Sequence, residues 1–324
     1  MKALTALAAA LFAAISLLLI SAPASATAPG ENGRIAYRLF LNEAQTRAAI
    51  LTIRANGSHR HWVTHPGRRV LHLTPDWSPD ARWIAYVRAR AGDVTRRTRP
   101  HIFRLHPNGS GRKDLSTTCR RRCRINDDPA WSPNGRRIAF TRVFGDDLEE
   151  VDLMVMRADG TNVRHITNHR RFTRNEDWAP QWAPNGKRLV FHRVDKRRGH
   201  EAIFTIRLDG SGLRRLTRWG IDAHGEPDWS PNGRWINYEG SRGPCLVHPN
   251  GEARHCLFSN GGDFQWGSGS FSPDGTKIVV PRAPGVGPPS HYDVFRINID
   301  GTGLFNVTQT AAWDGTPDWG PRRH

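Results

Sequence analysis

The chain has 324 residues, of which 38% are hydrophobic and 24% charged, and it contains 31 Gly, 22 Pro and 12 Trp. This composition excludes a disordered polyelectrolyte, a coiled coil and a polytopic membrane protein, and it indicates a turn-rich globular fold. The formal net charge of +17 comes mostly from arginine and raises the question of an anionic partner.

The N-terminus has the pattern of a secretory signal. A positive residue precedes an apolar run over residues 3–20, and small residues stand three and one positions before a cleavage point after Ala26. An uncleaved membrane anchor is the alternative because the run is as long as the shortest spanning helices, but Pro23 favours cleavage. We expect a signal peptide at 1–26, a mature domain at 27–324 with no membrane span, and a secreted, periplasmic or cell-envelope location.

The four cysteines fall into two close pairs, Cys119 with Cys123 and Cys245 with Cys256. Export permits disulfides, whereas a zinc site is disfavoured because neither pair has the C-x2-C spacing. The second pair is symmetric about a predicted two-residue turn at Asn250-Gly251, which places Cys245 opposite Cys256 unless a bulge shifts the register. Both pairs are candidate disulfides.

One motif recurs roughly every 50 residues, a period that indicates a solenoid, a propeller or an array. It combines an aromatic anchor, a turn such as Ser-Pro-Asn-Gly and a short apolar strand. The anchors are Trp77, Trp131, Trp182, Trp229, Phe271 and Trp319. A second motif, an alternating apolar strand ending in Asn-Gly or Asp-Gly, is typical of a strand entering a tight hairpin, and a short strand closing in Leu-Thr or Ile-Thr follows it. Each unit therefore supplies four antiparallel strands, as a propeller blade does.

The two ends of the chain complete one unit. The last copy stops after Pro321, while residues 32–37 read Asn-Gly-Arg-Ile-Ala-Tyr, which is its missing half. Strands from both ends in one blade would close the ring and remove exposed sheet edges. The sequence thus predicts an all-β fold, a six-bladed β-propeller of four-stranded antiparallel blades in which the N- and C-terminal strands share a blade.

These repeats resemble the TolB-like, or WD40-like PD40, β-propeller family, whose repeat combines W-S-P-D-G, an I-A-F-like strand, an aromatic strand ending in D-G and a closing L-T. The resemblance covers essentially the whole mature chain and implies the propeller fold. Related propellers serve as protein-interaction modules, as regulatory domains of serine peptidases and as lyases, so the resemblance leaves the function open. We expect no N-terminal α/β domain of the TolB type and do not transfer the Tol-Pal role.

Strand order places the long loops of every blade on one face and the tight turns on the other. Binding residues usually lie on long loops carried by a rigid scaffold, so we expect ligands on the long-loop face. Its aromatic candidates, which can stack on a sugar or a peptide or can simply pack the loops, are Trp178, Trp219, Trp266 and Trp313. Its polar candidates, which can also cap turns, are Asp222, His224 and Glu226.

Arginine-rich loops supply the basic candidates Arg121, Arg122 and Arg197. They can dock on an anionic cell-envelope polymer, although a general preference for arginine on a solvated surface explains the same pattern. Nucleic acid is a disfavoured partner because the chain carries an export signal and no reading motif.

Three aspartates, Asp76, Asp228 and Asp318, occupy one blade position immediately before an anchor Trp and can approach the central channel together. The other blades carry Ala, Gln or Ser there, so no complete ring of carboxylates forms.

The chain lacks the G-x-S-x-G and H-E-x-x-H motifs, and its histidines do not share a repeat position. We therefore expect no catalytic residue, no metal and no cofactor. The predicted function is that of an exported, noncatalytic, monomeric binding module for a protein or an anionic cell-envelope polymer. The alternative is a metal-assisted, polysaccharide-active enzyme of the lyase type that uses histidines and carboxylates of the long-loop face.

Overall fold

The computed structural model describes residues 29–92, 99–116, 123–145, 150–168, 175–220, 223–241, 243–258, 264–284 and 291–323. Within these ranges the regular elements are strands, and none of the described segments forms a helix long and apolar enough to cross a membrane. In chain order the strands are β1 (Asn32–Phe40), β2 (Ala48–Arg54), β3 (His61–Trp62), β4 (Val70–Trp77), β5 (Ile84–Arg90), β6 (His101–Leu105), β7 (Lys113–Asp114), β8 (Cys123–Trp131), β9 (Arg137–Phe144), β10 (Glu150–Arg157), β11 (Arg164–His165), β12 (Asn175–Trp182), β13 (Arg188–Asp195), β14 (His200–Arg207), β15 (Arg214–Arg215), β16 (His224–Trp229), β17 (Ile236–Gly240), β18 (Gly243–Val247), β19 (His255–Cys256), β20 (Phe264–Trp266), β21 (Ser270–Phe271), β22 (Lys277–Pro284), β23 (Asp293–Asn298), β24 (Phe305–Asn306) and β25 (Asp314–Pro321).

The described strands pair into six antiparallel groups, which we number as blades 1 to 6. In order from the innermost strand outward they are β25-β1-β2-β3, β4-β5-β6-β7, β8-β9-β10-β11, β12-β13-β14-β15, β16-β17-β18-β19 and β20/β21-β22-β23-β24. One parallel bridge, between Ala48 and Leu71, links blades 1 and 2. The predicted all-β fold of four-stranded antiparallel blades is confirmed.

Blade 1 combines strands from the two ends of the chain. β1 pairs with β25, with Ile35 opposite Trp319 and Leu39 opposite Asp314. The backbones approach so closely at Gly33 that a Cβ atom there would collide with the Pro321 carbonyl oxygen. The innermost strands contact one another in the order β25, β4, β8, β12, β16, β21 and back to β25. These contacts agree with the predicted six blades and with closure by the terminal strands.

The hydrophobic core lies between neighbouring blades. One cluster packs Ile50 and Val63 of blade 1 against Trp77, Ile84 and Tyr86 of blade 2. The second strand of a blade is covered on both of its faces, as β5 is by clusters on its two sides. This explains why such strands are continuously apolar and not alternating. Burial of each large apolar side chain contributes about 1.5–3 kcal/mol, so the stability of the ring comes mainly from contacts between blades.

Two sets of hydrogen bonds explain the closing Thr or Ser and the Asn-Gly turn of each repeat. The Thr217 hydroxyl oxygen accepts a hydrogen bond from the backbone N–H of Ile203 at 3.0 Å, and the closing Thr or Ser residues of other blades make the same contact. At the Asn-Gly turns the Gly N–H donates across the turn, as from Gly57 to the Arg54 carbonyl at 2.9 Å, and the Arg54 N–H donates to the Ser58 carbonyl. The turn is thus one residue longer than a two-residue hairpin loop and carries a bulge.

The same bulge is present in the turn between the second pair of cysteines. The His248 N–H donates to the Glu252 carbonyl, so the predicted two-residue turn at Asn250-Gly251 is wrong. Ala253 has a φ of 51°, and beyond this residue the two strands pair in the register that a two-residue turn would have given. Cys245 consequently lies opposite Cys256 as predicted, and the two form a disulfide with their Cα atoms 3.8 Å apart. Cys123 is also disulfide-bonded, while Cys119 lies outside the described residues.

Candidate functional site

The central channel is lined by the middle of the innermost strands. A bulge interrupts the pairing there in several blades, and the residue before the proline has a positive φ at Thr74, Asp128, Ala179 and Thr316. Bulges of this kind change the direction in which side chains point and bend the strand. They direct the position before each anchor toward the channel, where Asp76 and Asp318 are among the lining residues.

Carboxylates on this channel join neighbouring blades at three junctions. The Trp77 N–H donates to Asp318, the Trp131 N–H to Asp76, and the Phe271 N–H to Asp228, each at 2.7 Å. In blade 6 the Ser270 hydroxyl takes the equivalent place and accepts from the Trp319 N–H at 3.2 Å. The three aspartates therefore do line the channel, and they satisfy buried backbone donors that would otherwise be unpaired.

Burial raises the pKa of two of these carboxyl groups, Asp76 and Asp318. Desolvation raises the pKa of Asp318 to about 6. It also raises the pKa of Asp76 well above its usual range, and the neighbouring Asp318 adds to the shift because two negative charges repel each other. The channel thus presents buried carboxyl groups that can donate a proton as well as accept a hydrogen bond.

A second level of acidic groups stands nearer the long-loop face. Desolvation, followed by the charge of Asp127, raises the pKa of Glu226 to about 7, while Arg38 acts in the opposite direction. Burial raises the pKa of Asp314 to about 7 as well, and the Asp128 pKa rises for the same reason with Asp127 and Glu226 as further causes. One guanidinium, Arg38, therefore faces several carboxyl groups.

A cavity of about 580 Å³ opens at this level, which we name the long-loop mouth. Its lining residues are Asp128, Trp178, Ala179, His192, Val194, Glu201, Gly225 and Glu226. The Trp178 indole N–H donates to Glu176 at 3.1 Å, and Lys196 pairs with the same carboxylate at 2.8 Å, so the ring is held in place. His192 contacts Glu201 at 3.0 Å. The mouth combines an aromatic wall with carboxyl groups and suits a ligand that brings apolar surface together with hydrogen-bond donors or positive charge.

Comparison with known proteins agrees with this architecture. The family described as the TolB beta propeller domain matches residues 32–238. The chain belongs to the TolB β-propeller domain family.

Three relatives illustrate the extent of the likeness. A protein described as a TolB homolog from Chlorobium luteolum is 30% identical over 45% of this chain, and the match covers 29% of that protein. The crystal structure of TolB from Acinetobacter baumannii has a TM-score of 0.65 at 22% identity and covers 90% of this chain and 67% of its own. A putative TolB from Agrobacterium tumefaciens has a TM-score of 0.60 at 18% identity, over 89% of this chain and 99% of its own. The chain spans less than a third of the curated relative, and the structural likenesses show the fold.

In this TolB-like propeller the predicted aromatic residues do not form one surface. Trp178 lines the long-loop mouth, whereas Trp266 is 8% exposed and stacks on Phe258. Trp219 packs against Phe204, and Trp313 lies beside His291 and Tyr292. These three rings are positioned by contacts with their own loops and blades.

The predicted polar residues have different placements. Glu226 lines both the channel and the long-loop mouth. Arg197 is exposed at the turn between β13 and β14. Asp222, Arg121, Arg122 and the side chain of His224 lie outside the described part of the structure.

Among the described residues, no three His, Cys, Asp or Glu side chains are arranged so that they could hold a metal ion. His165 pairs with Asp152 at 3.1 Å, in a blade other than that of His192. The meeting of Asp128, His192 and Glu201 with Trp178 in one cavity was not predicted from the sequence. No local pattern relates them, because they lie on strands of different blades or on different strands of one blade.

Proposed function

We propose that the protein is an exported, noncatalytic TolB-like propeller of the cell envelope that binds a partner protein at the long-loop mouth of its channel. The N-terminal signal pattern supports export, and the relatives named for the Tol-Pal system support an envelope role. The observation that carries the proposal is the position of Trp178 beside Asp128 and Glu226 in one cavity.

The charge of this mouth favours a basic protein segment over an anionic polymer. Asp128, Glu201 and Glu226 line it, while Lys196 is paired with Glu176 and Arg38 acts on Glu226. A polymer carrying carboxylates or phosphates would meet hydrogen-bond acceptors like its own, and charges of its own sign wherever these carboxyl groups are ionised. A protein segment with an apolar side chain and a Lys or Arg would cover Trp178 and pair with a carboxylate, which is the usual composition of an interaction hot spot.

Site-specific photo-crosslinking in the native cells tests the proposal. A photoreactive amino acid at position 197, on the exposed rim beside the mouth, should capture one protein that mass spectrometry identifies. The Trp178→Ala substitution should abolish that capture, whereas Trp219→Ala, which alters a ring packed on Phe204, should preserve it. Capture that is unaffected by Trp178→Ala, or that occurs equally from position 136 on the opposite face, would show that the mouth is not the binding site.

A polysaccharide-active enzyme is the second candidate, because His192, Glu201 and Glu226 share this cavity and a histidine beside carboxyl groups can transfer protons. A screen of the purified protein on acidic polysaccharides, with and without added divalent cations, separates the two functions. Turnover that is lost in His192→Ala would replace the binding module by an enzyme.

A further inference from the structure

A second cavity opens on the face opposite the long loops, at blade 1 and its two neighbours. It has a volume of about 1360 Å³, more than twice that of the long-loop mouth. The start of β1, the end of β25 and the Asn-Gly turns at Asn56 and Asn108 contribute to its wall, which places it on the tight-turn face. We name it the turn-face pocket.

The lining of the turn-face pocket is strongly basic. Its cationic residues are Arg34, Arg54, Arg60, Lys277, Arg296, Arg322 and Arg323, and His59, His61 and His106 lie among them. None of the described lining residues is acidic. On a surface of mixed charge, a concave site with cations alone concentrates positive potential, because its walls exclude water and focus the field.

Neutral oxygen atoms hold several of these guanidinium groups in place without cancelling their charge. Arg34 donates to the Thr52 hydroxyl at 3.0 Å and to the His59 carbonyl. Arg296 donates to the Ala55 carbonyl at 2.9 Å, and Arg60 to the Thr308 carbonyl. A guanidinium bound to a carbonyl keeps its full charge and retains other N–H groups for a ligand.

The acidic groups nearby are engaged at the rim. Glu31 pairs with Arg322 at 2.7 Å, with both side chains largely exposed. Asp274 accepts hydrogen bonds from Asn32, Ser272 and Thr276. Arg322 is thus the lining cation that has an acidic partner among the described residues, while Arg34, Arg60 and Arg296 are bound to neutral oxygen atoms. Burial together with the neighbouring Arg54 lowers the pKa of Arg34. A bound anion would relieve this repulsion.

We propose that the turn-face pocket is a binding site for a ligand that carries two or more phosphate groups. A phosphate concentrates its charge on oxygen atoms whose spacing matches the fork of a guanidinium, and arginine recognises it with paired hydrogen bonds. Several arginines converge here on one concave space, so a ligand with adjacent phosphates makes more of these contacts than a single phosphate does. This site is on the opposite face from the long-loop mouth and does not depend on the function proposed for that mouth.

Isothermal titration calorimetry with inorganic tripolyphosphate tests the site at low and at physiological ionic strength. Wild-type protein should bind tripolyphosphate more tightly than inorganic phosphate, and the affinity should fall as salt rises. The double substitution Arg54→Gln with Arg323→Gln should weaken binding by about tenfold or more, because it removes two of the guanidinium groups that would bind the phosphates. Both side chains are exposed, so the fold is expected to remain intact.

A matched control removes the same charge elsewhere on this face. Arg136→Gln with Arg137→Gln alters two exposed arginines of blade 3 that do not line the pocket, and it should leave tripolyphosphate binding nearly unchanged. Equal losses in the two double variants would overturn the proposal, because the ligand would then respond to net charge alone. Citrate is the comparison ligand of similar charge, and binding of citrate as tight as that of tripolyphosphate would overturn the assignment to phosphate. The absence of tripolyphosphate binding to the wild-type protein would overturn the site itself.

Discussion

The Asp76 carboxylate of blade 2 accepts a hydrogen bond from the backbone N–H of Trp131 in blade 3 at 2.7 Å. Both residues are buried, with Trp131 4% and Asp76 9% exposed. The contact joins two blades at the channel, where the sheets approach each other most closely. Equivalent contacts of Asp318 and Asp228 make it a recurring element of the ring.

Asp76→Ala should therefore destabilise the protein by about 1–3 kcal/mol, the cost of leaving a buried N–H without a partner. Asp76→Asn retains the acceptor oxygen and removes the negative charge that faces Asp318, so it should preserve stability at neutral pH. Urea unfolding of both variants measures this difference, with Glu43→Ala as the exposed control. If Asp76→Asn is as unstable as Asp76→Ala, the hydrogen bond is not what this carboxylate contributes.

The pKa of Glu226, raised to about 7, predicts a loss of stability toward alkaline pH. A group with a raised pKa in the folded state stabilises the fold while it is protonated in both states, below about pH 4.5, and that contribution is lost as the pH rises through about 7. The shift corresponds to about 3 kcal/mol at most. The charges of Asp127, Asp318 and Arg38 also act on Glu226, so the contribution belongs to this group of residues together.

Glu226→Gln should reduce this dependence, so that its free energy of unfolding falls less between pH 5 and pH 8 than that of the wild-type protein, since this range covers most of the interval from about 4.5 to about 7 over which the contribution is lost. Urea unfolding at the two pH values gives the comparison. The exposed control Glu43→Gln should retain the wild-type slope, and a Glu226→Gln variant that also retains it would show that Glu226 does not titrate in this range.

Gly33→Ala tests the closure of blade 1. The added Cβ meets the Pro321 carbonyl oxygen, and both atoms belong to paired backbone that cannot move independently. We expect a loss of about 2 kcal/mol or more, as overpacking of a rigid contact requires. Gly67→Ala is the matched control, because no atom lies within 4 Å of the added Cβ there. Thermal unfolding that shows equal stability for the two variants would argue against the pairing of β1 with β25.

Thr217→Val tests the closing threonine of the repeat. Valine keeps the shape of the side chain and removes the oxygen that accepts from the Ile203 N–H at 3.0 Å. A loss of about 1–2 kcal/mol is expected in chemical unfolding. Thr217→Ser keeps the hydroxyl and should be the milder variant. The reverse order would mean that the methyl group, and not the hydrogen bond, accounts for the conserved pattern among the blades.

The blades were predictable because each repeat carries its own local chemistry. The Asn-Gly turns, the apolar second strands and the closing Thr217-like residues act on neighbours within one unit, so a single repeat indicates its own structure. The register of Cys245 with Cys256 followed from the same local symmetry. The bulge in the turn after His248 could not be predicted in this way. The same turn residues allow both a two-residue and a bulged turn, and the sequence does not select between them.

The candidate site was less predictable. Glu226 was identified because it lies on an inter-blade segment, but the cavity that it shares with Asp128 and His192 was not predicted, since those residues belong to other blades. The emphasis on arginine-rich long loops also missed the turn-face pocket. Arg34 and Arg296 lie at opposite ends of the chain and share a cavity only because β1 stands between blades 6 and 2.

By itself the sequence determined the all-β repeat architecture, the four strands of each blade and the disulfide between Cys245 and Cys256, because these follow from turn chemistry and from patterns repeated over short distances. The tertiary structure decided which faces carry which charge. Closing the ring buried carboxyl groups such as Glu226 together along the channel, which raised their pKa values, and it gathered arginines on the opposite face in a pocket that has no acidic residue among its described lining. Both results arise from contacts between distant segments, and such contacts depend on how the blades close around the channel.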